Sequence, residues 1–226
     1  AREVIRKYGE NKSLEVNYIG DLPASSGIGS SSAFTVGLIS SLCALNGKFL
    51  GRSLLANSAI DLEQGPMNEN VGFQDQCASA FGGLIIIEAN ESKISPRKFI
   101  TTKKYEQYIS SSLLMGFDGL ERNSQIYSSK ISKSVSSDSN DRLMRELNDL
   151  SNQGIDAFSE EADITTHAQI TKKCRNLKLK LNGEENNIRQ NEIIKKTEMA
   201  GSLCTRTMGA GGGGFFVCWA PKEKHE

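Results

Sequence analysis

The sequence predicts a mixed chain of helices and short strands, and two observations lead to it. Apolar residues recur at helical spacing in several stretches, while others show short strand-like runs bounded by glycine. A glycine- and serine-rich loop, Pro23–Ala33, falls where an expected strand meets an expected helix. At such a junction the first backbone amides of the helix are free to meet a ligand.

Taken in order, residues 1–7 read as the end of a helix. Leu14–Ile19 reads as a short strand with Leu14, Val16 and Tyr18 on one face. Ser32–Leu45 is a helix by period, with Phe34, Leu38, Leu42 and Leu45 on one stripe and Asn46-Gly47 as its stop. Arg52–Gln64 is a second helix, with Ser53 as cap and Gly65-Pro66 ending it. A polar loop reaches Gly72, a short helix spans Gln74 to Ala80, and Gly82-Gly83 leads into the apolar strand Leu84–Glu88. Tyr105–Phe117 fits either a helix or a strand. Ser124–Asn152 reads as helix, exposed loop and helix, the last carrying Leu143, Leu147 and Leu150. Ile188–Ala200 is an amphipathic helix, and Phe215–Ala220 is a closing strand after Gly209–Gly214. No internal repeat is visible.

The 226 residues are 38% apolar and 24% charged with zero formal net charge, enough for one substantial core or two modest ones. That balance offers no electrostatic case for nucleic acid or an anionic membrane surface, so anionic ligands must be handled by loops and helix ends. Cys43, Cys77, Cys174, Cys204 and Cys218 are odd in number and never form a C-x-x-C pair. Reduced thiols in a cytosolic protein fit better than a zinc cluster or a disulfide framework. No apolar run is long enough to span a membrane, and no signal-peptide pattern opens the chain. Ala1–Ile5 reads as the middle of a helix, so a further N-terminal segment is expected upstream.

Glycines in Pro23–Ala33 let the backbone approach a ligand at positive φ. Free amides and the positive helix end suit a polyphosphate, and serine hydroxyls can complete the contacts or bind its Mg²⁺. A serine-rich turn that merely caps a helix is the plainer alternative. The pattern G-x-x-x-x-G-K-[ST] is absent, which leaves the common P-loop NTPase fold unsupported. The loop resembles the P-x-x-x-G-[LI]-G-S-S-A-A signature of the GHMP kinase superfamily, with Ser32 in place of the first alanine. The resemblance implies that Pro23, Ser26, Gly27, Ile28, Gly29, Ser30, Ser31 and Ser32 contact ATP.

Glu63 ends the second helix on the face of Ala56, Ala59 and Ile60, so its carboxylate emerges from apolar surroundings. Such a group needs a cation or donors: Mg²⁺, a structural arginine or a helix end. Asp75 stands in the first turn of the short helix, where an acid is either a cap or a preorganised base. The run Glu63-Gln64, Glu69–Gln76 and Ala80–Gly83 is similar to the sugar-1-kinase branch of the superfamily, which includes heptose 7-phosphate kinases and fucokinase-like relatives. That resemblance implies Mg²⁺ ligation by Glu63 with Ser31 (Ser30 as alternate), contact of Asp75 with the acceptor hydroxyl, and substrate binding by Gln74.

Gly209, Gly211 and Gly214 also satisfy G-x-G-x-x-G, but the run precedes a strand instead of following one, so the dinucleotide reading fails. A structural glycine turn is the general alternative. In context Gly209–Phe215 resembles the third GHMP motif, which places Gly211 and Gly212 on the substrate side. Arg206 stands where the family often has lysine. Gly116–Arg122 resembles a T-G-x-x-R segment with Asp118 in place of threonine, leaving Arg122 as a phosphate-binding candidate or a surface arginine. His167, Lys172 and Lys173 read as a solvated helix face, and Trp219 as core.

The implied fold is α+β, the two-domain GHMP kinase architecture. It has a ribosomal S5-like nucleotide-binding domain over 1–95, its first strands lying upstream of this chain, and a ferredoxin-like C-terminal domain over 96–226. The implied activity is ATP- and Mg²⁺-dependent phosphorylation of an anomeric sugar hydroxyl. Expected partners are a small sugar phosphate and ATP, without nucleic acid or membrane, and a homodimer is left open. An isoprenoid or amino-acid GHMP kinase is the rival enzyme, and a sugar-sensing module without catalysis is the rival class.

Overall fold

The computed structural model describes residues 1–10, 13–22, 27–90, 93–119, 140–183, 187–209 and 213–225. The chain divides into two compact units, Ala1–Ile100 and Thr101–Glu226.

The first unit is helical at its centre. Helix α1 (Arg2–Tyr8), α2 (Ser30–Leu45), α3 (Arg52–Gln64) and α4 (Gln74–Phe81) precede the antiparallel hairpin β1 (Ile85–Asn90) and β2 (Lys93–Lys98). Val36, Leu38, Ile39, Leu42 and Cys43 of α2 bury against Val4 of α1 and Leu55, Ala59 and Leu62 of α3. A smaller cluster joins Ala56 and Ile60 of α3 to Cys77 of α4 and to Ile85 and Ile87 of β1. Ser53 caps nothing: α3 starts from Gly51, whose extended backbone supplies the turn without a side-chain bond.

Two sequence expectations change here. Leu14–Ile19 forms no strand, because no described segment pairs with it and an extended chain is held as a strand only by a ladder partner. The α2 stripe Phe34–Leu38–Leu42–Leu45 is buried only in its middle, where Leu38 and Leu42 join the core. It lines an open groove of about 580 Å³ with Leu14, Val16 and Tyr18, and Leu45 stays 56% exposed. Helix α2 is apolar almost all round, so its sequence period could not say which face packs.

The second unit builds on the antiparallel sheet β3 (Leu113–Phe117), β5 (Phe215–Trp219) and β4 (Cys204–Thr207), in that spatial order. Its helices are α5 (Lys103–Ser110), α6 (Asp141–Ser159), α7 (Ile164–Asn182) and α8 (Ile188–Met199). The ambiguous Tyr105–Phe117 stretch is both things in turn, a helix and then a strand, divided at Ser111-Ser112. Thr102, Asp163 and Asn187 cap α5, α7 and α8 through side-chain oxygens. Leu150 of α6 is buried, and the expected helix and loop over 124–139 lie outside the described residues. Among the described residues no helix is long and apolar enough to cross a membrane.

His167 is buried, not on a solvated face. Its ring stacks on Trp219 at 5.4 Å and 15°. Tyr105 donates its hydroxyl to the Ala162 carbonyl at 2.8 Å, leaving its oxygen to accept from His167 Nε2–H at 2.6 Å. Burial holds the imidazole below its usual range, with the nearby Asp163 opposing. Above about pH 6.5 folded and unfolded states are both neutral at this site; below it only the unfolded chain takes the proton. Stability is therefore expected to fall as pH drops through 6.5, by at most about 1.4 kcal/mol per pH unit for one proton. Thermal unfolding at pH 7.5 and 5.5 measures this. His167→Gln should flatten the dependence, and an equal slope in that variant removes His167 as its source.

Candidate active site

Helix α2 opens without a side-chain cap. Its N-cap, Gly29, lies at φ +75°, and Gly27 before it at φ +86°, the left-handed region that glycine tolerates without strain. The amides of Ser30, Ser31 and Ser32 are thus unclaimed by the helix and stand at its positive end, the arrangement that receives phosphate oxygens. Pro23 and Ser26 lie outside the described residues.

Asp75 meets this helix end. A Cβ placed on Gly29 would lie 3.0 Å from Asp75 Cγ and 3.3 Å from Oδ2, so the loop backbone packs against the carboxylate. Asp75 also stands in the first turn of α4. Two helix N-termini therefore present positive potential to its negative charge. Gly29→Ala is expected to lower stability by about 1–2 kcal/mol through its left-handed φ and the crowding of Asp75. Thermal unfolding tests it; a variant matching the parent would show that the contact is loose.

Glu63 is fully buried at the end of α3. Its Oε2 accepts hydrogen bonds from Ser32 Oγ at 3.0 Å and from Gln76 Nε2. Its Oε1 has no partner, nor does the buried Oε1 of Gln76, and among the described residues no cationic side chain pairs with Glu63. Burial and the Glu63 charge push the Glu69 carboxyl above its ordinary range, a sign of surplus negative charge here. Unpartnered buried oxygens on a carboxylate and an amide fit a hard divalent cation, which takes oxygen ligands. The donor set therefore fits Mg²⁺.

Ser31 is exposed, and it is Ser32, the residue departing from the family pattern, whose hydroxyl reaches Glu63. Gln74 is exposed and folds back over Gly72. Ser32 and Gln76 were not singled out as partners of Glu63. Gln76 lies in the same G-x-Q-D-Q run as Asp75, and its burial depends on how α4 packs on α3, which no local pattern states.

In the second unit, Asp118 Oδ1 accepts the Gly214 amide at 2.9 Å, and the Asp118 amide bonds the Gly214 carbonyl at 3.1 Å. Arg189 donates to the Asp118 carbonyl and faces its carboxylate at 3.8 Å. Asp118 thus ties β3 to the end of the glycine run, where Gly213 and Gly214 have φ of +123° and +91°. Gly211, Gly212 and Arg122 lie outside the described residues.

Comparison with known proteins adds to this geometry. Residues 1–83 match the family model described as GHMP kinases N terminal domain. The chain is 25% identical over 222 residues to a D-glycero-alpha-D-manno-heptose 7-phosphate kinase of Campylobacter jejuni, covering 94% of this chain and 62% of that protein. The chain thus spans less than two thirds of that relative's length. Mevalonate kinase of Methanococcus jannaschii superposes with a TM-score of 0.70 at 19% identity, covering 99% of this chain and 66% of that one. Galactokinase of Lactococcus lactis, solved with galactose, superposes at 0.62 and 18% identity, covering 97% and 65%. Residues 1–83 therefore match a GHMP kinase N-terminal domain, and the chain has the mixed α/β fold of the kinases on which it superposes.

Proposed function

We propose that the full-length protein is an ATP-dependent kinase that phosphorylates the anomeric hydroxyl of a sugar or sugar phosphate. D-glycero-D-manno-heptose 7-phosphate, converted to the 1,7-bisphosphate, is the first substrate to test. One observation carries the reading: Asp75 packs against Gly29 of the phosphate-loop helix, bringing a carboxylate base to the place where a terminal phosphate would lie. The name of the Campylobacter relative supports the choice of sugar.

In this reading the amides of Gly29–Ser32 hold the β- and γ-phosphates. Asp75 accepts the acceptor hydroxyl's proton as the oxygen bonds to the γ-phosphorus and the bond to the β-phosphate oxygen breaks, releasing ADP. Mg²⁺, when bound, would offset phosphate charge, with Glu63 Oε1 and the Ser31 or Ser32 hydroxyl as its protein ligands. Catalysis is then mostly positioning and charge compensation. In the same reading Gln74, next to Asp75 in the chain, contacts the acceptor.

The test is ADP release by the full-length protein with ATP–Mg²⁺ and a panel of heptose 7-phosphate, hexose phosphates, free fucose and mevalonate. Turnover is expected only with acceptors bearing a free anomeric hydroxyl. Turnover with mevalonate alone overturns the sugar assignment, and sugar binding without any turnover points to a sensing module.

A further inference from the structure

Three helices of the first unit meet at one buried carboxylate. Glu63, at the end of α3, is 0% exposed. Ser32, in the first turn of α2, and Gln76, in the first turn of α4, are 4% and 1% exposed. Ser32 Oγ donates to Glu63 Oε2 at 3.0 Å, and Gln76 Nε2 donates to the same oxygen. A carboxylate oxygen only accepts, so the Gln76 head bonded to it is the NH₂ and the free head is Oε1.

Both donors fall on one carboxylate oxygen and none on its twin. Glu63 Oε1 and Gln76 Oε1 are buried without a hydrogen-bond partner. Their chain neighbours Leu62 and Cys77 are buried in the apolar clusters of this unit. The starts of α2 and α4 account for a negative charge held here, since a helix N-terminus favours an anion. They do not account for the two orphaned oxygens, because a buried acceptor without a donor is unfavourable. A hydrated divalent cation answers both at once. The ion takes the anionic oxygen, and one of its waters donates to the amide oxygen.

We propose that Ser32 and Gln76 are positioning residues for the divalent cation of the kinase reading, on which this inference rests. Their two donors pin Glu63 by Oε2 and leave Oε1 as its metal-facing oxygen, while Gln76 Oε1 accepts from a water of the ion. A carboxylate pinned in this way ligates through one oxygen only. That mode suits an octahedral ion that keeps several waters, Mg²⁺ or Mn²⁺. The Ser32 hydroxyl is committed to Glu63, so Ser31, which is exposed, is left as the hydroxyl ligand. The clamp also borders the proposed base: Asp75 precedes Gln76 in the chain, and Gly29, which it contacts, lies three residues before Ser32.

The test titrates Mn²⁺ into the full-length protein without nucleotide and reads the free ion by electron paramagnetic resonance. Glu63→Gln identifies the site, as the bound Mn²⁺ that this variant loses. Ser32→Ala and Gln76→Met should each weaken that binding by at least about 10-fold, as loss of an outer-shell partner does. Ser32→Thr keeps the hydroxyl and should stay within about threefold of the parent. Melting in chelator checks that each variant is folded, and Ser32→Ala tests the clamp even where Gln76→Met does not fold. If Glu63→Gln loses no Mn²⁺ relative to the parent, the metal part of the kinase reading falls, and this inference with it. If Glu63→Gln loses the ion while Ser32→Ala and Gln76→Met bind it as the parent does, the metal site stands and the clamp alone is overturned. A loss in Ser32→Ala that is equally large in Ser32→Thr overturns the part given to the hydroxyl.

Discussion

Asp75→Asn is expected to lower turnover by at least about 10²-fold while ATP binds as tightly as before or more tightly. The two halves of this expectation have separate physical origins. The amide keeps the size and packing of the side chain against Gly29, so the loop geometry survives. It cannot accept the hydroxyl proton, so the chemical step loses its base. It also removes a negative charge from beside the helix end that would hold ATP phosphates, which weakens repulsion in the ground state. Steady-state kinetics with a separate ATP titration resolves the two. An unchanged rate would remove the base assignment. Equal losses in rate and in ATP affinity would make Asp75 part of the nucleotide site instead.

Glu63→Gln should move stability and metal response in opposite directions. Without Mg²⁺ the parent buries a carboxylate whose Oε1 has no partner, and the side chain of Gln76, which bonds its other oxygen, carries a second orphaned oxygen. The variant's amide oxygen can still accept from Ser32 and Gln76, and its new N–H can donate to Gln76 Oε1. The metal-free variant is therefore expected to be more stable by roughly 1–3 kcal/mol, a Tm gain of several degrees in a chain this size. Adding Mg²⁺ should raise the parent's Tm and leave the variant's unmoved, because the anionic ligand is gone. Thermal unfolding across a Mg²⁺ titration measures both, independently of turnover. A variant less stable than the parent in chelator, or one with the same Mg²⁺ response, would mean that Glu63 is a structural hub and not a metal ligand. The trade resembles other sites where a polar arrangement kept for chemistry lowers the stability of the resting fold.

Much of the fold was legible because local chemistry and final structure agree. Arg52–Gln64 has the bounds its period and its Gly-Pro stop predict, and the closing strand starts at Phe215 as its β-branched and aromatic run suggests. Legibility failed where a segment's state depends on a distant partner. Leu14–Ile19 alternates like a strand, yet without a paired ladder it stays irregular. Strands β2 and β4 went unseen because Lys93–Lys98 and Cys204–Thr207 are polar and short, and pairing alone makes them strands. His167 looked like one of several polar residues on a helix; its burial follows from α7 lying across Trp219 and Tyr105.

The site divides along the same line. By itself the sequence determined which residue types stand ready: glycines able to take positive φ before α2, a carboxylate emerging from the apolar face of α3, and an acid in the first turn of α4. Those are consequences of backbone sterics and helical periodicity, both local. Only the tertiary structure decided the pairings. It set Asp75 on Gly29, turned Ser32 and not Ser31 to Glu63, and tied Asp118 to Gly214. Each pairing joins elements far apart in sequence, and a contact between distant elements is set by how their buried faces pack, which no local pattern contains.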